Sequence, residues 1–217
     1  MRTITKGREP SRLARHRAVD RRDYENYPYK DELRAALVKE QRGLCCYCMV
    51  SVTDSASTTK IEHWASQSGY PELRLVYLNL LAACLGGLGQ PEELQHCDTR
   101  KGPRDLKFNP ANPEHRVDRR IGFKADGTII SSDQEFDTQL NEVLGLNLPM
   151  LKNRRKSVLA GILQWWRSEK DRLHGPVPRE RLVRERTRRL GENDEILAPS
   201  APIVVWWLDQ RLARSAT

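Results

Sequence analysis

Three of the five cysteines fall within the stretch GLCCYCMV, at positions 45, 46 and 48. Cys45 and Cys48 form a CxxC pair, and Cys84 and Cys97 form a second pair split by twelve residues. Four thiolates from two local pairs are the ligand set of a tetrahedral structural zinc. Cys46 would point away from such a metal and is expected to pack. Thiols also pack as small apolar side chains with no metal at all, so the residues between the pairs and straight after Cys97 carry the argument. These are Glu62 and His63 in IEHW, Asn79 in LNLLAAC, and Asp98 and Lys101 in CDTRKG. A neutral imidazole can take a proton from water near pH 7. Carboxylates hold a hard cation such as Mg²⁺ or Mn²⁺, which polarises a phosphoryl oxygen. A lysine beside them can contact a phosphate. Together these side-chain types suit hydrolysis of a phosphodiester bond. His96, next to Cys97, is a rival zinc ligand. His16, His115 and His174 match no motif and are expected at the surface.

The formal net charge is +8 over 217 residues. It is concentrated in two places. Residues 1–28 carry eight Lys/Arg against four Asp/Glu, and residues 176–190 carry six Arg against two Glu. Segregated basic charge is the footprint of a polyanion such as nucleic acid, although Arg-rich helices with interleaved Glu also serve as ordinary solvated faces. No run of 18 apolar residues exists, so no membrane span is expected. The basic N-terminus has no apolar segment after it, so a secretory signal is not expected. The expected compartment is reducing and cytoplasmic, where clustered cysteines serve as metal ligands or reactive thiols.

The elements that must position these residues are legible in outline. Residues 1–28 form a basic arm ending in YENYPY. Pro28 opens a helix over KDELRAALVKEQRG, with Leu33, Ala36, Leu37 and Val38 on a helical period and Gly43 as its stop. MVSV and KIEH form a β-hairpin around the polar turn DSASTT. CDTRKG is a short helical turn, which Asp98 could cap. IGFKADGTIIS is a second hairpin turning at ADG. The pattern is then helical from Gln134 to His174, over 176–190, and over 201–213. The Trp165–Trp166 and Trp206–Trp207 pairs are core or partner-facing aromatics. The fold class is α+β, with an arm at 1–28, a core at 29–110 and a mostly helical region at 111–217.

In the order CxxC, acid–His pair, LNLLAAC, CDTRKG, over about residues 30 to 105, the sequence resembles the HNH endonuclease family. Within it the chain is most similar to the PtuB-type nucleases of Septu and retron anti-phage systems, on CYC, IEHW, YPEL, LNLLAAC, CDTRKG and LGLNLPMLKNRR. The resemblance implies a ββα-metal core with zinc on Cys45, Cys48, Cys84 and Cys97. It implies His63 as general base, Glu62 and Asp98 as ligands of the catalytic cation, Asn79 as orienter of His63, and Lys101 on a phosphate. It also implies a prokaryotic host, a defence role and an ATPase partner of PtuA type, docking on the N-terminal arm or the Arg-rich segment. Three departures stand out: Glu62 replaces the usual Asp, Asp98 the usual Asn or His, and the Cys84–Cys97 loop is long. A zinc-ribbon module that binds nucleic acid or protein without catalysis is the alternative. Nothing in the sequence reads a base or a 2′-hydroxyl, so DNA and RNA remain equal.

Overall fold

A computed structural model describes residues 1–20, 22–191 and 196–214. Arg21, counted above in the basic arm, lies outside the described residues. Among these residues the chain is mixed α+β, with eight α-helices and two two-stranded antiparallel sheets.

The N-terminal segment is not a free arm. Ile4 donates its backbone N–H to Pro110 at 2.8 Å, and Met1, Ile4 and Leu13 are buried in the common core. The first helix, α1 (Ser11–Arg17), carries its charge in ion pairs: Arg17 with Glu9, and Arg12 with Glu32. Apolar residues spaced through this segment, rather than its charge, decide its place. Helix α2 (Lys30–Glu40) begins two residues after Pro28. Asp31 and Glu32 lie in its first turn, where they favour the helix dipole. Leu33 and Leu37, one turn apart, face the core. The helix stops where Arg42 and Gly43 take left-handed conformations (φ 56° and 72°).

The expected MVSV–KIEH hairpin does not form. Strand β1 (Thr59–His63) pairs instead with β2 (Leu80–Cys84), from Thr59 opposite Cys84 to His63 opposite Leu80. Every residue of β2 is buried, and a five-residue apolar run is the stronger partner for a half-buried strand. Residues 44–51 fold as a tight knuckle closed by a bridge between Leu44 and Ser51. Buried Gln41 ties helix, knuckle and sheet together. Its amide nitrogen donates to the carbonyls of Leu44 and Ala82, both at 2.8 Å, and its oxygen accepts from Ala82 N at 2.7 Å.

After β2 a loop leads to α3 (Cys97–Lys101), then α4 (Val117–Arg120). Strands β3 (Ile121–Phe123) and β4 (Ile129–Ser131) form the expected second hairpin. Helix α5 (Gln134–Thr138) continues into a π-helical turn, and α6 (Pro149–Leu173) is the longest element. Helices α7 (Arg179–Leu190) and α8 (Ala201–Arg214) pack on each other. Trp206 meets Phe123, and Trp207 meets Trp166, both edge to face. The basic charge of α7 is largely answered within the fold: Arg181 pairs with Glu169, Arg186 with Asp209, and Arg188 and Arg189 with Glu185.

The three expected regions share one core that runs from Met1 to Leu208. The chain entering α8 is tied to the knuckle: Leu197 N donates to Arg42 O at 3.0 Å, and Ser200 N to Met49 O at 2.9 Å. Among the described residues no helix is long and apolar enough to cross a membrane.

Candidate metal centre and adjoining cleft

The knuckle brings Cys45 and Cys48 under the end of β2, where Cys84 sits, and beside the start of α3, where Cys97 sits. The four sulphurs lie within 4.8 Å of one another, and all four residues are buried. Cys45 Sγ is 3.9 Å from Cys97 Sγ, and Cys48 Sγ is 3.6 Å from Cys84 Sγ. A tetrahedron with metal–sulphur bonds of about 2.3 Å has edges of about 3.8 Å, so the spacing fits a tetrahedral ion. No disulfide joins them. Burial opposes ionisation of Cys45, yet hydrogen bonds from Cys46, Cys48, Cys84 and Cys97 hold its thiol well below the ordinary range. Burial and its bonds to Cys45, Cys48 and Cys84 push Cys97 well above. Thiols this close do not all ionise without a cation among them, and the four cysteines could hold a structural metal such as zinc. The twelve-residue loop does not displace Cys97. Cys46 is buried outside the cluster, with its N–H on Ala82 O at 3.0 Å. His96 stands beside the ligands, its Nδ1 3.2 Å from Cys97 Sγ and 4.0 Å from Cys84 Sγ.

The strand pair hung on this centre opens an exposed cleft of about 730 Å³, lined among others by Tyr24, Arg34, Lys60, Glu62, His63 and Asp98. His63 ends β1. Its Nε2 lies 3.0 Å from the Arg74 carbonyl. A carbonyl can only accept, so Nε2 carries the proton and Nδ1 is left as the basic nitrogen. Burial lowers its pKa to about 4, against the pull of the Arg74 carbonyl and the Asp98 carboxylate. The Tyr24 ring packs edge-on against the imidazole at 4.5 Å.

Glu62 is 2% exposed. Its Oε1 accepts from the Tyr47 hydroxyl at 2.7 Å and lies 3.0 Å from Lys101 Nζ. Both contacts fall on Oε1, which leaves Oε2 free of them. Burial and the neighbouring Asp98 carboxylate hold the Glu62 carboxyl well above the usual range, outweighing Lys101 and Tyr47. Burial pushes Asp98 up too, but the hydrogen bond shared with Glu62 and the Lys60 ammonium, at 2.9 Å, bring it below its ordinary value. Two carboxyl groups sharing one proton are a place where a divalent cation can replace that proton. Glu62, His63 and Asp98 do not draw together as the four cysteines do, and among the described residues only those four form a compact ligand cluster.

Two expected roles are corrected. Lys101 does not reach a phosphate: it is 1% exposed, and its ammonium is spent on Glu62 and on the His63 carbonyl at 3.1 Å. The hydrogen bonds of the Asn79 side chain go elsewhere than to the His63 imidazole. The Asn79 side chain accepts from Ala65 N at 2.8 Å and donates to the carbonyls of Ala65 and Leu73 at 3.0 and 3.2 Å. It braces the loop whose next residue, Arg74, holds the imidazole. Tyr24, Arg34, Tyr47 and Lys60 went unread in the sequence. Lys60 had a signal, since it shares a strand face with Glu62 two residues on. Tyr24 and Arg34 come from segments whose packing no local pattern announces.

No protein-family model matches the chain, and no curated protein sequence matches it.

Proposed function

We propose that the cleft hydrolyses phosphodiester bonds in nucleic acid, as an HNH-type, metal-dependent endonuclease. The observation that carries this reading is the convergence of an unprotonated imidazole nitrogen, two neighbouring carboxyls and the Lys60 ammonium on one open cleft. That cleft lies on an antiparallel strand pair followed by a short helix, with the four-cysteine cluster pinning both.

His63 Nδ1 takes the proton from the attacking water. The Arg74 carbonyl and the Tyr24 ring hold the imidazole in the required tautomer and orientation. A phosphate's negative charge in the cleft raises the basicity of His63 from its low resting value. Lys60 supplies positive charge for the phosphate by exchanging its partner Asp98 for substrate, while Arg34, buried on the Thr59 carbonyl and paired with Asp31, adds charge only from behind the cleft wall. Glu62 and Asp98 are the residues that would hold Mg²⁺ or Mn²⁺. When bound, that cation polarises the phosphoryl oxygen and stabilises the leaving 3′ oxygen. Tyr47, between the two knuckle cysteines, connects the metal frame to Glu62.

The test is cleavage of DNA and of RNA by the full chain with Mg²⁺ or Mn²⁺. Wild type is expected to cut at least one of them. His63→Ala is expected to lose about 10²-fold or more with its zinc content unchanged. Equal cleavage by the variant defeats the assignment of His63. The resting bond between Glu62 and Lys101 favours the second reading, a zinc-ribbon module without catalysis; nucleic-acid binding with no cleavage of either polymer under any divalent ion decides for it. The defence role and the ATPase partner of PtuA type rest on the sequence resemblance. Co-purification of an ATPase from the native host is the expected result.

A further inference from the structure

Arg155 lies on α6, far from the cleft in sequence, and is 2% exposed. Burial pulls its guanidinium down to about 10, against the pull of Cys48, Cys97 and Asp126, so it stays protonated at neutral pH. A full positive charge is therefore enclosed in the core. Among the described residues each hydrogen bond it makes goes to a neutral oxygen: Nε to Gly127 O at 2.6 Å, and Nη2 to Leu146 O at 2.6 Å and to Asn147 Oδ1 at 3.1 Å. A buried charge without a counter-charge is strongly destabilising. Asp126 is a poor candidate for that role. Its side chain is 54% exposed and already meets Lys152 at 2.7 Å. Cys48 and Cys97 remain, and both belong to the cysteine cluster. Backbone geometry joins the two features. Cys97 N donates to Leu144 O at 2.8 Å, and Leu146, two residues on, gives its carbonyl to Arg155.

We propose that Arg155 is the buried counter-charge of the four-cysteine centre, and that it tunes this centre for a divalent thiophilic cation bound by all four thiolates. Four thiolates around a divalent ion leave a net double negative charge. Arg155 answers half of it. Donors to sulphur spread the rest: Cys84 N reaches Cys45 Sγ at 3.3 Å, and His96 Nδ1, when it carries the proton, reaches Cys97 Sγ at 3.2 Å. His96 is on this view a donor to a ligand, not a ligand. Arg155 makes no hydrogen bond to sulphur and is a positioning residue acting through charge. The inference holds whether or not the cleft cuts phosphodiesters.

The experiment compares zinc affinity of the full-length wild type, Arg155→Lys and Arg155→Gln, by competition with a chromophoric chelator under reducing conditions. The lysine keeps the charge and loses the fork; the glutamine keeps a donor for the carbonyls and loses the charge. Wild type and Arg155→Lys are expected within about threefold of each other, with Arg155→Gln weaker by about tenfold or more. Asp126→Asn should leave the affinity unchanged. Equal losses in the lysine and glutamine variants would reduce Arg155 to a structural clamp, and unchanged affinity in both would equally overturn the proposal. Where a metal-free variant is too unstable to titrate, the rate of zinc extraction from the loaded protein gives the same ranking.

Discussion

His63 spends its Nε2 proton on a backbone carbonyl, which confines its acid–base chemistry to Nδ1. Its pKa is lowered by burial from 6.5 to about 4. An NMR titration of the imidazole should therefore show the neutral form at pH 6 and a midpoint near 4. The linkage sign follows. Between 6.5 and about 4 the unfolded chain binds the proton and the folded chain does not. The contribution of His63 to stability is thus complete above 6.5 and is lost as pH falls through that window. A midpoint near 6.5 would mean the imidazole is solvated rather than enclosed. Lys101 belongs to the same scale. Lys101→Met removes the cation buried against Glu62 and should cost about 3 kcal/mol of unfolding free energy in urea. An unaffected stability with weakened nucleic-acid binding would return Lys101 to the substrate. Residue types in CDTRKG disclosed that a lysine stands near the acid–His pair. They did not disclose its direction, because a five-residue helix presents Lys101 inward or outward according to what packs on it.

Elements were legible where the pattern is local and misread where the partner is distant. The ADG hairpin and the long helix follow from turn chemistry and 3.6-residue periodicity. KIEH was recognisable as a strand, but its partner was not, since pairing depends on which apolar run reaches it in three dimensions. The four cysteines were the exception, because metal geometry ties residues that are distant in sequence to one another. Gly127, in the β3–β4 turn, tests how closely that hairpin sits on α6. It has φ 84°, and a Cβ there would lie 2.1 Å from the Lys152 carbonyl. Gly127→Ala should destabilise the fold by more than ~1 kcal/mol, seen as a lower urea midpoint; no change would mean the turn stands off the helix. Cys84→Ser should lower zinc content and thermal stability together. Full zinc content in that variant would remove Cys84 from the ligand set.

At the scale of the molecule, one core joins the N-terminal segment, the strand pair and the C-terminal helices. Metal removal should therefore be felt throughout. Chelation under reducing conditions should lower the midpoint of thermal unfolding by about 10 °C or more, with a single transition by circular dichroism and by tryptophan fluorescence. Two separated transitions would show that the C-terminal helices fold without the knuckle. The bond from Ser200 to Met49 carries a further consequence. During synthesis the knuckle emerges from the ribosome long before the segment leading into α8 that is bonded to it. The nascent chain must hold its apolar faces exposed until residue 200 has cleared the exit tunnel. Contacts of such long sequence separation form late and slowly. Chaperone dependence and the timing of zinc capture in the cell would then be set by the synthesis of α8.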